Sequence, residues 1–322
     1  VTVLVTGAGG FIGGHLVRAL LDRGEQVRAA DIRPLGDWQQ LHPAAVNLRL
    51  DLAVPGAARF AAAGAGTVYH LAAQAGGMGY ISTHQADCTL SVLADAAVIR
   101  AAAGAPARLW YASSACVYPL HLQQAADAPD LAEHMAHPAD PEQGYGWEKL
   151  FGEQMCLAFA ADAGLQARIG RYQSVFGPHA AWRGGREKAP TAICRKVALA
   201  KLAGERIIGI WGDGTAIRTF TYVSDAVDAT LAITACDYGG PLNVGTSETM
   251  SVLELVDAVC EIAGWQLSYV RHTDGPVGVP GRRGCDTRLT AEKAGWKAQV
   301  SVRDGLERTY AWVQDQIRAG RG

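Results

Sequence analysis

An α/β fold is predicted, a doubly wound parallel sheet with a smaller α/β domain at the C-terminal end, and three features of the sequence predict it. Short β-rich runs alternate with alanine-rich helical stretches through the first half, a glycine-rich turn follows the first run, and after about Arg171 the pattern becomes less regular. Helices between strands demand crossover connections, which return the chain to the same end of the sheet and make neighbouring strands parallel.

The elements follow in order. Val1 to Thr6, Gln26 to Asp31, Asn47 to Asp51, Thr67 to Ala73 and Arg108 to Ser113 read as buried strands, short, apolar and bounded by turn residues. A helix from about Phe11 to Arg23 presents Phe11, Ile12, Leu16, Leu20 and Leu21 to the core, with Gly24 as its stop. Beyond Arg171 come a Gly/Arg/Lys-rich stretch from Trp182 to Lys188, a helix near Val252 to Ala263, a glycine-proline loop from Gly275 to Gly284 and a closing helix from Arg303 toward Gly322. No fixed-period repeat is present.

Composition narrows the function. The 322 residues are 49% hydrophobic and 19% charged, enough apolar material for one large domain or two coupled ones. Lys and Arg total 29 against 31 Asp and Glu, so the net charge of -2 gives no electrostatic reason to expect nucleic acid or an anionic membrane as partner. No apolar stretch approaches the roughly 20 residues of a membrane span, and the chain opens on a strand-like run without a signal-peptide layout. A cytoplasmic location is the expectation. Seven scattered cysteines without a CxxC pair argue against a disulfide framework or a zinc site, and no metal is expected.

The first strand runs into Gly7-Ala8-Gly9-Gly10-Phe11-Ile12-Gly13, where Gly7, Gly10 and Gly13 have GxxGxxG spacing. Glycine is needed where a Cβ would keep the backbone from a pyrophosphate seated on a helix N-terminus. The second strand ends in Asp31, placed for a carboxylate to accept from the adenosine ribose hydroxyls and to repel the extra phosphate of NADP. NAD is therefore the expected cofactor, a preference that Arg33, two residues on, tempers. Asp51 and Leu52 after the third strand, and Leu71 to Ala73 after the fourth, read as turns flanking the adenine and the ribose. The predicted division is a dinucleotide-binding domain over residues 1–170, rejoined by a segment near 207–235, and a mainly substrate-binding domain over residues 171–322.

Tyr145 and Lys149 lie four apart on a helical segment and so share a face, where an ammonium lowers the pKa of a neighbouring phenol. The strand before them ends in Ser113-Ser114, which supplies a hydroxyl. This order of glycine loop, serine, tyrosine and lysine resembles the short-chain dehydrogenase/reductase superfamily, with its Rossmann fold. The resemblance implies that Tyr145 takes a proton from a sugar hydroxyl while hydride passes to the nicotinamide, that Lys149 also holds the nicotinamide ribose, and that Ser114 hydrogen-bonds the reacting alcohol.

Three stretches narrow it further: Ala72 to Tyr80 (AAQAGGMGY), Ser113 to Pro119 (SSACVYP) and Gly184 to Pro190 (GGREKAP). With Arg168 to Arg171, Cys194 to Lys196, Trp211 to Gly214, Arg218 to Thr221 and Gly281-Arg282, they resemble the GDP-mannose 3,5-epimerase family over nearly the whole chain. That family implies oxidation of the hexose at carbon 4, which makes the hydrogens on carbons 3 and 5 acidic. A base on one face and an acid on the other then invert a centre. Cys116 and Lys188 are the two candidates, since a thiol near a cation and a lysine in a closed site both exchange protons near neutral pH. The resemblance also places Gly77, Met78, Ser174, Glu187, Ala189, Lys196, Ala216, Arg218 and Arg282 at the nucleotide sugar, cations being what a diphosphate requires. Ser174 and Ala216 depart from the family's asparagine and glutamine.

The readings left open are a nucleotide-sugar 4-epimerase or dehydrogenase, which needs no acid/base pair, a variant inverting carbon 5 alone, and a non-catalytic dinucleotide sensor. A 4,6-dehydratase would carry an acidic pair after the active-site serine, where this chain has Ala115-Cys116. The superfamily further implies a homodimer through helices around Thr89 to Ala103 and Tyr145 to Ala161.

Overall fold

The computed structural model describes residues 2–105, 107–276 and 278–320. Val1, with which the first predicted strand begins, and Gly322, with which the last predicted helix ends, lie outside the described residues. The core is a seven-stranded sheet in the order Pro241–Val244, Gln166–Tyr172, Arg108–Ser114, Thr67–His70, Thr2–Thr6, Gln26–Asp31, Val46–Arg49, and every neighbouring pair is parallel. The order reverses between Thr67–His70 and Gln26–Asp31, which flank the first strand. In sheets of this kind the crevice beyond the strand ends at that point is where ligands bind.

Both faces are covered, which explains the unbroken apolar runs. Successive side chains alternate across the sheet: Val3, Val5 and Trp110 pack with helices Phe11–Asp22 and Val223–Ala235, while Leu4, Leu109 and Tyr111 pack with helices Ala57–Ala62 and Val92–Ala103. The first helix closes as predicted, with Gly24 at φ 78° and the Glu25 amide donating to Leu20 O at 3.0 Å. The fourth strand ends at His70 rather than Ala73 because the next amides turn onto Thr6: Leu71 N and Ala72 N donate to its Oγ1 at 3.2 and 3.3 Å.

In the C-terminal half, strand Ile217–Tyr222 pairs with Ser174–Phe176, Thr249–Ser251 and Arg282–Cys285, and the last of these also pairs with Asp130–Leu131. Helices Ala189–Ala203, Val252–Ala263 and Val302–Arg318 pack together beside them. Of the predicted returning segment near 207–235, helix Val223–Ala235 packs on the large sheet. Ile207–Trp211 pairs instead with Tyr269–Thr273, and the returning strand is Pro241–Val244, reached through helix Val223–Ala235. The predicted loop from Gly275 to Gly284 likewise ends in a strand, because its last residues find hydrogen-bonding partners on Ile217–Tyr222. Among the described residues no helix is long and apolar enough to cross a membrane.

Candidate active site

The glycine turn is fixed by contact. Gly7 takes φ 67°, and a Cβ on Gly13 would lie 2.2 Å from Gly7 O, so the first helix sits directly against the turn. That helix begins after Gly10 with no side-chain cap and no acidic residue in its first turn. Its free amides suit a phosphate. Phe11 and Ile12 are half-buried against the core behind it. Asp31 is buried, accepts from Gly9 N at 3.1 Å, and is gripped by Arg33, whose Nε and Nη2 donate to its two oxygens at 3.0 and 2.9 Å. The sequence placed Arg33 nearby; the structure puts it on the carboxylate itself. Leu52 is buried, Leu71 and Ala73 are half-buried past the strand end, and Asp51 is exposed, its Oδ1 accepting from Ala53 N at 2.9 Å. This bare, close-packed turn with an anchored carboxylate beside it fits a dinucleotide.

Helix Tyr145–Ala163 starts over the turn after Ser114. A Cβ on Gly146 would lie 2.4 Å from Cys116 O, and Cys116 N donates to Ser114 Oγ at 3.2 Å. Tyr145, Cys116 and Met78 share one buried cluster. Burial pushes the Tyr145 phenol above its ordinary pKa, opposed by the Lys149 charge and by Ser114. The expected lowering by Lys149 is thus present but outweighed by the loss of hydration around the phenol.

Lys149 is held by residues the sequence analysis missed. Its Nζ lies 3.1 Å from Glu148 Oε1 and 4.0 Å from Asp95 Oδ2, and 5.1 Å from the centre of the Tyr111 ring. Asp95 in turn pairs with His70 Nε2 at 2.9 Å and accepts from Tyr111 Oη at 2.7 Å, while His70 Nδ1 meets Thr6 Oγ1 at 2.7 Å. All of these side chains are buried. The chain of contacts runs unbroken from the strand before the glycine turn to the lysine. Helix Tyr145–Ala163 must lack a side chain at Gly152 for this, since a Cβ there would lie 1.9 Å from Tyr111 Oη. Burial works against the Lys149 ammonium, but Asp95 and Glu148 outweigh it and raise its pKa. Burial pushes the Glu148 carboxyl up to about 8, while Asp95, despite burial, is held well below the carboxylate range by Lys149 and His70. An acidic residue inside the alanine-rich stretch Ala94 to Ala97 was the available signal for Asp95.

Two of the singled-out stretches meet. Gly77 N donates to Arg186 O at 2.9 Å, and a Cβ on Gly77 would lie 2.2 Å from Glu187 O. Lys188 precedes helix Ala189–Ala203; burial lowers its pKa, the Cys116 charge opposes that and Arg283 adds to it. Arg218 donates to Ile217 O and Gly281 O at 2.7 and 2.8 Å and to Val279 O, and burial, reinforced by Arg283, brings its pKa to about 10.

The remaining predicted residues divide. Lys196 Nζ donates to Gly209 O at 2.6 Å, Ser174 is half-buried, Ala216 is buried, and Glu187 folds back onto Gly185 N at 2.7 Å and Arg195 at 3.3 Å. Arg282 is taken up by Asp130 Oδ1 at 2.5 Å and Ala128 O at 2.8 Å. Its neighbour Arg283, which the sequence analysis passed over, reaches Cys116 instead, as alternation along a strand requires.

Residues 3–245 match the family described as NAD dependent epimerase/dehydratase. The chain belongs to this family. GDP-mannose 3,5-epimerase 1 of Oryza sativa subsp. japonica and GDP-mannose 3,5-epimerase of Arabidopsis thaliana are each 36% identical to it over 323 residues, covering 98% of this chain and 82% of the relative. The solved structure of MoeE5 in complex with UDP-glucose and NAD is 31% identical, with a TM-score of 0.79, covering 98% of this chain and all of that one (100%). A UDP-glucose 4-epimerase from Thermotoga maritima, 22% identical, superposes with a TM-score of 0.88 over 98% of this chain and 100% of that one, a likeness of fold. The resemblance read from the sequence is borne out, and the enzyme is an NAD-dependent epimerase.

Proposed function

We propose that the enzyme epimerises GDP-mannose at carbon 5, or at carbons 3 and 5, through a transient 4-keto sugar, giving GDP-L-gulose, GDP-L-galactose or both. What supports this reading is that Tyr145 packs against the thiol of Cys116 and that the half-buried Lys188 interacts electrostatically with that thiol, a pair that an enzyme inverting carbon 4 alone does not need. NAD, which the Gly7 to Gly13 turn and Asp31 would hold, would supply a hydride acceptor for carbon 4 that is regenerated in each cycle, so none would be consumed.

The protein's share is acid/base work and positioning. Tyr145 takes the proton of the carbon 4 hydroxyl and gives it back, steadied by Lys149, while Ser114 fixes the hydroxyl oxygen. Cys116 and Lys188 exchange protons with the carbon next to the ketone. Arg218 and Lys196 supply positive charge for the diphosphate, with Gly77, Met78 and Ala189 closing around the sugar. In this reading residues 1–170 form the dinucleotide-binding part and most of the remainder the sugar-binding part.

The test is incubation with GDP-mannose in deuterated water, followed by NMR. Deuterium at carbons 3 and 5 with new hexoses supports the double inversion, and label at carbon 5 alone supports the gulose-forming variant. A second reading, a UDP-sugar 4-epimerase, is favoured by the 31% identity to MoeE5, whose structure holds UDP-glucose. It requires turnover of UDP-glucose without label at carbons 3 or 5.

A homodimer belongs to the same proposal. Helix Tyr145–Ala163 turns Glu148, Lys149 and Glu153 inward and leaves Trp147 and Phe151 46% and 55% exposed; Leu90 and Leu93 on the adjoining helices are exposed as well. Apolar residues on the outer face of a helix whose inner face is charged call for a second surface. Phe151→Glu combined with Leu93→Glu is expected to convert a dimer to a monomer in sedimentation velocity; a wild-type protein that already sediments as a monomer refutes the interface.

A further inference from the structure

Behind Lys149 each hydrogen bond sets the direction of the next, and the series ends on a carboxyl that lacks a donor. Thr6 Oγ1 accepts from Leu71 N and Ala72 N at 3.2 and 3.3 Å, which occupies the lone pairs of its oxygen. Its own hydrogen therefore goes to His70 Nδ1, 2.7 Å away. With Nδ1 an acceptor, the His70 ring is uncharged, and its Nε2 donates to Asp95 Oδ1 at 2.9 Å. Asp95 also accepts from Tyr111 Oη at 2.7 Å and lies 4.0 Å from Lys149 Nζ. It is satisfied as a carboxylate. Glu148, 3% exposed, is within hydrogen-bonding reach of Asp95, and its Oε1 lies 3.1 Å from Lys149 Nζ. Neither Glu148 oxygen receives a well-aligned hydrogen bond.

The charge count decides the form that Glu148 takes. Two carboxylates against one ammonium would leave a net negative charge buried without a counter-ion, a costly arrangement. A proton on Glu148 removes that charge and gives the side chain a hydrogen to donate to Asp95. Burial pushes the Glu148 carboxyl up to about 8 against the pull of Lys149, and Asp95 adds to the rise. Among the described residues the ionisable groups about Glu148 are Lys149 and Tyr145 on its own helix, Asp95 on helix Val92–Ala103, Tyr111 on strand Arg108–Ser114 and Cys88 on helix Gln85–Leu90. Lys149 is the one cation in that set.

We propose that Glu148 is a positioning residue for Tyr145 that works as an uncharged carboxylic acid, leaving the Lys149 ammonium to favour the phenolate, and that ionisation of Glu148 turns the base off. This rests on the reading of Tyr145 as the base for the carbon 4 hydroxyl. In the oxidation the hydroxyl O–H bond breaks and its proton joins the Tyr145 phenolate, while the carbon 4 hydrogen leaves with its electron pair for NAD. The return step reverses both transfers. Glu148 keeps its proton throughout and acts through Lys149. When that proton is lost to solvent at high pH, a second carboxylate sits on Lys149 and cancels the ammonium's effect on the phenol. Asp95 alone does not, since His70 and Tyr111 already draw on its charge.

Two measurements test this. Infrared spectra of the NAD-loaded enzyme are expected to contain the band of a protonated carboxyl that fades as pH rises through about 8 and is missing in Glu148→Gln. No difference between the two proteins overturns the proposal. The second measurement is the single-turnover rate at which GDP-mannose reduces bound NAD, followed across pH. In wild type it is expected to fall above about pH 8. In Glu148→Gln, whose amide cannot ionise, that fall should be absent. The ratio of the rate at about pH 9.5 to that at about pH 7 should be about tenfold higher in the variant, the change that accompanies a shift of about one in the phenol's pKa. A uniform loss from disturbed packing leaves this ratio unmoved, and a ratio equal to that of wild type removes Glu148 from the role even where the band is present. If GDP-mannose reduces no NAD, UDP-glucose takes its place, since both reactions begin at carbon 4; the substrate reading then fails while the ratio still decides the role of Glu148. Reduction at the wild-type rate in Tyr145→Phe refutes the base itself, and the proposal with it.

Discussion

Tyr145→Phe is expected to fold and bind NAD as wild type does while slowing formation of the 4-keto sugar by about 10²–10⁴, the usual contribution of a positioned general base. The phenol oxygen is the only group this substitution removes, and the ring stays in its cluster with Cys116 and Met78. The loss should appear in kcat with KM little changed, since the interaction strengthens only as the proton moves. It should appear equally in single-turnover reduction of bound NAD, followed by absorbance, and in deuterium incorporation, because in the proposed reaction both carbon exchanges wait on the ketone. Incorporation at wild-type rate would show that carbon acidity does not depend on oxidation at carbon 4.

Asp95→Ala is expected to cost about 3–5 kcal/mol of stability, read from urea unfolding, because it strips a buried charge network of its centre. Its removal takes a partner from the Tyr111 hydroxyl, the His70 ring and the Lys149 ammonium, leaving His70 to Thr6 and Lys149 to Glu148. Wild-type stability in the variant would mean that water enters and replaces the carboxylate. The pH dependence follows from the same cluster. Asp95 is depressed below its ordinary 3.8, so its contribution is present above that value and is lost as pH falls through the folded pKa. Glu148 is raised from 4.5 to about 8, so its contribution is present below 4.5 and is lost as pH rises through about 8. Stability should therefore decline between about pH 5 and 8 in wild type, and Glu148→Gln should flatten that decline.

The parallel sheet and the glycine turn were legible because they rest on local pattern: apolar runs bounded by turn residues, and a glycine spacing whose need is steric. The same holds for Tyr145 and Lys149, whose helical spacing places both on one side. What the sequence did not disclose depends on distant segments meeting. Asp95 and His70 are 25 residues apart, and Glu142 and Arg283 are 141 apart. Arg282 and Arg283 are adjacent and identical in type, so only the register of strand Arg282–Cys285 against Ile217–Tyr222 decides which faces the thiol. The surroundings of Cys116 depend on such a meeting too: Arg283, which lies 3.8 Å from its sulfur, is already paired with Glu142.

The fit between Tyr111 and Gly152 limits how this protein can vary over generations. Adding a methyl at 152 drives into the Tyr111 hydroxyl, and losing that hydroxyl first leaves Asp95 short of a donor. Each change alone costs a contact, so the two positions are expected to change together. Positions 111 and 152 should therefore be inherited as a linked pair, drifting apart only in descendants that have also rebuilt the surroundings of residue 95.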